Sequence, residues 1–248
     1  MKSHPIKAIL FDLDETLWPL IPVLQHAEAT LHEWLTIHLP EVGRHFSQQQ
    51  LSDLRTSLIP TDPRFRHDLW ALRHATLHHA CGLSRQLNIQ PDQIPSQEED
   101  AAYALLIDQA MAVFSDARNK VAPFDDVLPG LARLQNQFII GSISNGFADL
   151  QAIGIAHHFK ISLAAHQFGC AKPDPRIFHA ACDALKIAPH EALYVGDDPV
   201  LDIQGAQDAG LHAVWMDRFQ RELPSHIVPS ARVTDLHQLH EWLQQQIK

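Results

Sequence analysis

The pattern of apolar and polar positions changes twice along the chain. The apolar run from Ala8 to Phe11 predicts a short strand that is buried on both faces. From Pro19 to about Val121, apolar residues recur at helical spacing, which predicts a series of amphipathic helices. Beyond that region, short apolar runs alternate with helical segments. Strands that alternate with helices favour a parallel sheet with right-handed crossovers.

The individual elements follow from the same patterns. In the middle region we expect helices at Pro22 to His38, after Ser47, at about Phe65 to Ala80 with Gly82 as the end, and at Ala101 to Ser115. In the last region we expect strands at Phe138 to Ser144, Ile161 to Leu163, Leu193 to Gly196 and Ala213 to Met216. A last short strand and an amphipathic helix are predicted between Val233 and Ile247. The fold class is therefore α/β, with a helical insert after the first strand.

Composition and charge narrow the class of protein. The chain has 248 residues, 46% of them apolar, which suits one or two domains with a substantial core. The net charge of -10 argues against binding to nucleic acid or to an anionic membrane. Asp108 interrupts the longest apolar segment, so no membrane helix is expected. No signal sequence is recognised before Asp12, and the three cysteines lack a C-x-x-C pattern, so we expect a cytoplasmic protein.

Carboxylates follow two of the predicted strands. Asp12 and Asp14 come directly after the first strand, and three more follow the strand that ends at Gly196: Asp197, Asp198 and Asp202. We expect them to converge, because parallel strands present their carboxyl ends at one edge of a sheet. Anions this close repel each other unless one is protonated or a cation lies beside them. Hard oxygen ligands without a Cys and His pattern favour Mg2+ over zinc.

Two further segments supply groups suited to an anion. Ser144 and Asn145 end the second predicted strand, and Gly146 leaves the turn free to present backbone N–H groups. Lys172 lies in the segment Ala-Lys-Pro-Asp-Pro, whose prolines stiffen the chain around one ammonium group. Together with the carboxylates, these groups predict a phosphoryl-transfer site.

These segments resemble the four motifs of the haloacid dehalogenase superfamily, and specifically those of its phosphatase branch. The matching positions are residues 11–17, Ser144 with Asn145, Lys172, and residues 196–202. The helical insert occupies the position of a C1-type cap. The resemblance implies a Rossmann-like three-layer parallel-sheet core, residues 1–17 and 123–248, with an all-helical cap at residues 18–122.

The resemblance also implies roles for the site residues. Asp12 is expected to be the nucleophile that forms an aspartyl phosphate, and Asp14 the general acid and base. The phosphate-binding residues are expected to be Ser144, Asn145 and Lys172. The expected contacts of Mg2+ are Asp12, Asp197 and Asp14, the last through its backbone carbonyl. Two acids are assigned supporting roles: Asp202 at the metal or at Lys172, and Asp198 at the metal or as a helix cap.

The insert contributes candidate specificity residues and a predicted core. Three positions are expected to contact the substrate: Arg66, His67 and Arg73. The large apolar side chains of the insert are assigned to its core: Trp34, Trp70 and Phe65. A stripe of possible ligands is assigned to a solvated helix face, because no second ligand pair accompanies it: His74, His78 and Cys81.

The predicted function is Mg2+-dependent hydrolysis of a small phosphorylated metabolite by a monomer or homodimer. A hundred-residue lid argues against a macromolecular substrate. The insert also resembles those of bacterial phosphatases that act on flavin mononucleotide or on phosphorylated pyrimidine precursors of riboflavin, although no diagnostic motif identifies the substrate.

Four alternatives stay open at this point. A 2-haloacid dehalogenase shares the fold and the nucleophile but needs neither Mg2+ nor an acid at Asp14. A phosphosugar mutase uses the same two acids. A response-regulator receiver domain also combines Asp, Ser and Lys, but in another order and without the insert. A regulatory protein could retain the site without activity.

Overall fold

The computed structural model describes residues 5–88 and 97–246. The chain divides into two compact units, Met1–Leu20 with Val121–Lys248, and Ile21–Lys120. The first unit contains a parallel sheet, and the second is helical in its described residues. The helical unit is inserted between the first two strands, which is the position of a C1-type cap.

The helical unit is built from amphipathic helices: α1 (Leu20–His38), α2 (Pro40–His45), α3 (Gln48–Leu58), α4 (Leu69–Asn88) and α5 (Gln97–Arg118). On α1, every fourth residue from Val23 to Leu35 is buried, which is the spacing of one helix face. Ser47 forms a capping box at the start of α3. Of the predicted core side chains, Phe65 is buried, whereas Trp34 and Trp70 are partly exposed.

The prediction for α4 was wrong at both ends. A short 3-10 turn, Pro63–Arg66, occupies the predicted start, and the helix runs past Gly82. A Cβ at Gly82 would meet no atom within 4 Å, so this glycine lies on an open face of the helix. Ser84 is again buried. The packed face of the helix therefore continues beyond Gly82, and the helix continues with it to Asn88.

The sheet unit has six parallel strands in its described residues: β1 (Ala8–Phe11), β2 (Ile139–Ser144), β3 (Ile161–Ala164), β4 (Ala192–Gly196), β5 (His212–Met216) and β6 (Ala231–Val233). Their order is β3-β2-β1-β4-β5-β6. The predicted α/β class is confirmed. The order reverses between β1 and β4, and open α/β sheets bind ligands at such a switch point, beyond the carboxyl ends of the strands.

Apolar layers cover both faces of the sheet. The helices of this unit are α6 (Val127–Leu134), α7 (Leu150–Ile153), α8 (Ala165–Phe168), α9 (Pro175–Leu185), α10 (Gly205–Asp208) and α11 (Leu236–Gln246). Ile9 and Phe11 pack into one layer with α6 and α11, while Leu10 packs into the other with α9 and α10. The alternation fixes β1 between two cores and so holds the residues that follow it. In the described segments, no helix is long and apolar enough to cross a membrane.

Candidate active site

Lys172 lies at the centre of a buried polar cluster at the ends of β1 and β4. Lys172 is 4% exposed. Its Nζ donates to Asp12 Oδ1 at 2.5 Å and to Asp202 Oδ1 at 2.7 Å. The third hydrogen bond goes to the hydroxyl of Tyr194 at 2.9 Å. That hydroxyl donates in turn to the carbonyl of Ile143, at 3.0 Å. The ammonium is therefore held by groups that lie in β4 or follow β1 and β4.

Three buried carboxylates converge beside this lysine: Asp12, Asp197 and Asp202. One oxygen from each lies within 4.8 Å of the others. Asp202 belongs to a π-helical turn, Pro199–Gln204, and its Oδ2 accepts from the N–H of Asp198 at 2.9 Å. A Cβ at Gly196 would lie 2.4 Å from Cγ of Asp202, so glycine is required there for the close approach of Asp202.

Asp197 is held from several sides by residues that the sequence analysis missed. Nη2 of Arg221 donates to Asp197 Oδ2 at 2.7 Å and to its carbonyl at 3.0 Å. Trp215 Nε1 donates to the same carbonyl at 2.8 Å, and Thr16 Oγ1 donates to Oδ1 at 3.3 Å. β5 is the neighbour of β4, so its end reaches the same edge of the sheet. An arginine soon after a strand at this edge is the sequence signal that was available.

The electrostatics of the cluster show a shortage of positive charge. Burial raises the pKa of Asp12 well above its usual range. The negative charges of Asp202 and Asp197 raise it further, whereas the positive charge of Lys172 lowers it. Burial and Asp202 raise the pKa of Asp197 to about 6, although Arg221 opposes the rise. Burial alone would lower the pKa of Lys172, but the anions of Asp12 and Asp202 raise it well above its usual range.

The donor set therefore fits a divalent cation. Across the described residues, the ion pairs of the three carboxylates are made with two cations, Lys172 and Arg221. Three anions and two cations leave a net negative charge, which a hard cation with oxygen preference would reverse. Of the five acids that were predicted to converge, three lie together beside Lys172 in the structure: Asp12, Asp197 and Asp202.

Asp14 and Asp198 lie differently from the triad. Asp14 is half-buried, and its Oδ1 accepts from Trp18 Nε1 at 2.8 Å. Its predicted contact with a metal, through the backbone carbonyl, stays a prediction. The side chain of Asp198 accepts from the N–H groups of Val200 and Leu201, both at 2.8 Å. This geometry favours the capping alternative for Asp198 over direct metal binding.

Ser144 and Asn145 lie at the end of β2, as predicted. Ser144 is buried and its Oγ accepts from the N–H of Gly146 at 3.0 Å. The side chain of Asn145 is engaged with the backbone of Lys172: Nδ2 donates to the carbonyl at 3.0 Å, and Oδ1 accepts from the N–H at 2.8 Å. Asn145 thereby positions the Lys172 segment. Its predicted contact with phosphate stays a prediction.

The three predicted specificity residues of the insert differ in exposure. Arg66 is exposed and His67 is half-buried, so both remain candidates. Arg73 is 7% exposed, and its guanidinium donates to both carboxylate oxygens of Glu28, at 3.0 and 2.8 Å. It also lies over the ring of Phe114, 3.5 Å from the centroid. These contacts favour a packing role for Arg73 within the helical unit over the predicted contact with substrate.

Comparison with known proteins places this geometry in a family. The sequence profile of haloacid dehalogenase-like hydrolases matches residues 6–210. The chain belongs to this family. A buried aspartate triad is typical of the Mg2+ site in haloacid dehalogenase-like hydrolases, and here it consists of Asp12, Asp197 and Asp202.

Curated relatives in this family include phosphatases. The chain is 36% identical to the phosphoserine phosphatase of Thermus thermophilus over 134 residues, which cover 54% of the chain and 49% of that protein. It therefore spans about half the length of this relative. It is 28% identical to the 5-amino-6-(5-phospho-D-ribitylamino)uracil phosphatase YigB of Escherichia coli over 85% of the chain and 83% of that protein.

Solved structures in this family include a dehalogenase. The 2-haloacid dehalogenase of Pseudomonas syringae pv. Tomato superimposes with a TM-score of 0.87 at 35% identity, covering 97% of this chain and 99% of that one. The hydrolase YfnB of Bacillus subtilis, bound to magnesium, has the same fold at 19% identity, with a TM-score of 0.62 over 97% of this chain and 99% of that one. The comparisons thus give the family and leave two activities to be separated by the site.

Proposed function

We propose that this hydrolase is a Mg2+-dependent phosphatase that cleaves a small phosphorylated metabolite through an aspartyl phosphate on Asp12. The observation that carries the proposal is the excess of buried carboxylate at the triad. A haloacid is an anion that releases a second anion, and neither gains from three carboxylates facing two cations. A divalent cation reverses that excess and gives the phosphoryl group of a phosphomonoester a positive charge to bind.

Specific residues would hold the cation in this proposal. Asp12 and Asp197 would supply carboxylate oxygens, and Asp14 would supply its backbone carbonyl. Asp202 would hold Lys172, since its Oδ1 already accepts from that ammonium at 2.7 Å. When bound, Mg2+ neutralises charge on the phosphoryl oxygens and on the neighbouring carboxylates.

The chain's own groups suit the two displacement steps. Lys172 holds Oδ1 of Asp12 at 2.5 Å, so Oδ2 is the oxygen available to attack phosphorus. As that bond forms, the bond to the leaving oxygen breaks, and Asp14 gives its proton to the alkoxide. Water then attacks the aspartyl phosphate, Asp14 takes its proton, and inorganic phosphate leaves. The hydrogen bond from Trp18 keeps the Asp14 carboxylate in one orientation for both transfers.

The relatives support a small substrate. The proteins matched over more than four fifths of the chain include YigB and the glyceraldehyde 3-phosphate phosphatase of Methanopyrus kandleri, which is 29% identical over 86% of the chain. Both names give a small molecule with a phosphoester as the substrate. We therefore propose that the sheet unit handles the phosphoryl group and that the cap selects the remainder.

Release of phosphate from a panel of phosphorylated metabolites and from an aryl phosphate tests the proposal. We expect turnover with Mg2+, loss of turnover with excess chelator, and recovery when Mg2+ is restored. The Asp12→Asn protein is the matched inactive control. Undiminished turnover in excess chelator would contradict the metal requirement.

The 35% identical dehalogenase structure favours one second candidate, a 2-haloacid dehalogenase. The two activities make opposite demands on Asp14, because halide needs no proton to leave whereas an alkoxide does. We expect no halide from 2-haloacids with the wild-type protein. Halide release that survives both Asp14→Asn and chelator would establish the dehalogenase and overturn the phosphatase.

A further inference from the structure

A buried acid, Asp217, fixes the backbone of the segment that follows β5. Asp217 is fully buried, and its Oδ1 accepts from the N–H of Arg221 at 2.9 Å. Its Oδ2 accepts from Nε of Arg232 at 3.0 Å, and the guanidinium of Arg232 lies 4.9 Å from the centroid of the Trp215 ring. The backbone position of Arg221 is therefore set by charge-assisted hydrogen bonds inside the sheet unit.

From this position the Arg221 side chain reaches Asp197. One nitrogen, Nη2, contacts both Oδ2 and the carbonyl oxygen of Asp197, at 2.7 and 3.0 Å. On the other carboxylate oxygen, the contact with Thr16 is longer, at 3.3 Å. Arg221 therefore provides the shorter hydrogen bond to this carboxylate, and it leaves Oδ1 as the oxygen that is more easily shared with a cation.

We infer that Arg221 is a positioning residue that orients Asp197 and thereby sets the affinity of the triad for Mg2+. The inference rests on the proposed Mg2+ site. Without the guanidinium, the Asp197 side chain would be held by the longer contact alone, and a cation would have to fix its rotamer on binding. Residues that orient metal ligands typically contribute about 10- to 100-fold in metal affinity.

Titration calorimetry of Mg2+ into metal-stripped protein tests the inference directly, without an assay of activity. We expect Arg221→Met to raise the dissociation constant of Mg2+ by about 10-fold or more. The dissociation constant of Arg221→Lys should lie between those of the wild type and Arg221→Met. An ammonium restores the charge, but its flexible stem holds the donating nitrogen less firmly than a planar guanidinium does. Arg133→Met, at an exposed arginine of the same unit, should bind Mg2+ as the wild type does.

The outcomes separate this inference from the proposed function. Equal or tighter binding of Mg2+ by Arg221→Met would overturn the positioning role, because it would mean that the arginine is inert or competes with the cation. Wild-type protein that binds no Mg2+ would overturn both proposals. If Arg221→Met weakens Mg2+ binding as expected but the wild-type protein cleaves no phosphoester, the proposed function fails and the positioning role stands.

Arg221 is 40% exposed at its side chain, so its loss should leave the fold intact. Circular dichroism and thermal unfolding without Mg2+ would verify this for each variant. If Arg221→Met nevertheless fails to fold, Arg221→Lys becomes the test of the inference. Wild-type affinity for Mg2+ in Arg221→Lys would then overturn the positioning role of the Arg221 guanidinium.

Discussion

Each of the two units holds a partly buried cluster of opposite charges, and the two clusters differ in the balance of anions and cations. The sheet cluster consists of Lys172 and Arg221 with the triad Asp12, Asp197 and Asp202. The cap cluster consists of Arg55 and Arg73, which share Glu28, with the ring of Phe114 against Arg73. Anions exceed cations in the first cluster, and cations exceed anions in the second.

The pKa of each acid follows that balance. Burial would raise the pKa of Glu28, but Arg73 and then Arg55 outweigh it, and the pKa is lowered. At Asp12 and Asp197 burial wins, and both pKa values are raised. Buried charge is therefore not a mark of function in itself. An acid whose pKa burial raises needs a further partner, whereas an acid whose pKa falls already has its partners.

The largest expected effect lies in the sheet cluster. Asp12→Asn should lower kcat by about 10⁴-fold or more, because an amide is a poor nucleophile of the same volume. The free energy of unfolding should not fall, since the substitution removes a buried anion, Lys172 keeps its ion pair with Asp202, and the amide oxygen still accepts a hydrogen bond. Steady-state kinetics and urea unfolding measure the two quantities. A large loss of stability with only a modest loss of rate would show that the sheet cluster has a structural role, as we expect for the cap cluster.

The cap cluster should respond in the opposite way. Glu28→Gln removes the anion that two arginines share, and Arg73 is then buried without an opposite charge. We expect a loss of about 3 kcal/mol in the free energy of unfolding, with kcat for an aryl phosphate retained. Glu33→Gln, at an exposed position of the same helix, is the matched control for urea unfolding. An unchanged midpoint in Glu28→Gln would show that the cap cluster is not a source of stability.

The pH dependence of Asp197 gives an intermediate effect. Its pKa rises from an ordinary value of 3.8 to about 6, so the folded state binds the proton more tightly than the unfolded state. The resulting stabilisation is present below the unfolded pKa and is lost as the pH rises through about 6. In metal-free protein at pH 7.5, the free energy of unfolding of Asp197→Asn should therefore exceed that of the wild type by about 2 kcal/mol. The difference should shrink towards pH 4.5, and a difference that is constant across pH would exclude ionisation as its cause.

The smallest expected effect concerns an exposed residue of the helical unit. Arg66 lies outside the cap cluster, and its exposure leaves it available to an anionic substrate group. We expect Arg66→Ala to raise KM for its best substrate by about 5-fold and to leave the turnover of an aryl phosphate unchanged. Kinetics on the metabolite panel measure both values, with Arg64→Ala as the neighbouring control. An equal loss of kcat/KM on every substrate would show that Arg66 does not determine substrate specificity.

The sequence was sufficient to predict the strands and the acids at their ends. Every strand from β1 to β5 lies within one residue of its predicted bounds, because buried parallel strands are short apolar runs. The acids at Asp12 and Asp197 meet because β1 and β4 pair in register, with Phe11 beside Val195. A parallel sheet requires such a meeting of strand ends.

Contacts between side chains distant in sequence could not be predicted in the same way. Arg221 reaches Asp197 only because β5 lies beside β4, and hydrophobic patterning does not give the order of strands. Arg73 has the spacing of a solvated arginine, and its burial depends on Glu28 from a different helix. The end of α4 was missed because a glycine on an open face does not interrupt packing.

The three hydrogen bonds of Lys172 make substrate binding an exchange. An ammonium has three protons, and Asp12, Asp202 and Tyr194 accept all of them. On the proposed function, a phosphoryl oxygen therefore replaces one of these acceptors instead of occupying a vacant donor. The gain in binding energy is the difference between two strong contacts, so Lys172 should tighten the ground-state complex little. For the same reason inorganic phosphate should leave easily, because the departing anion is replaced at once by an acceptor that the protein already holds in place.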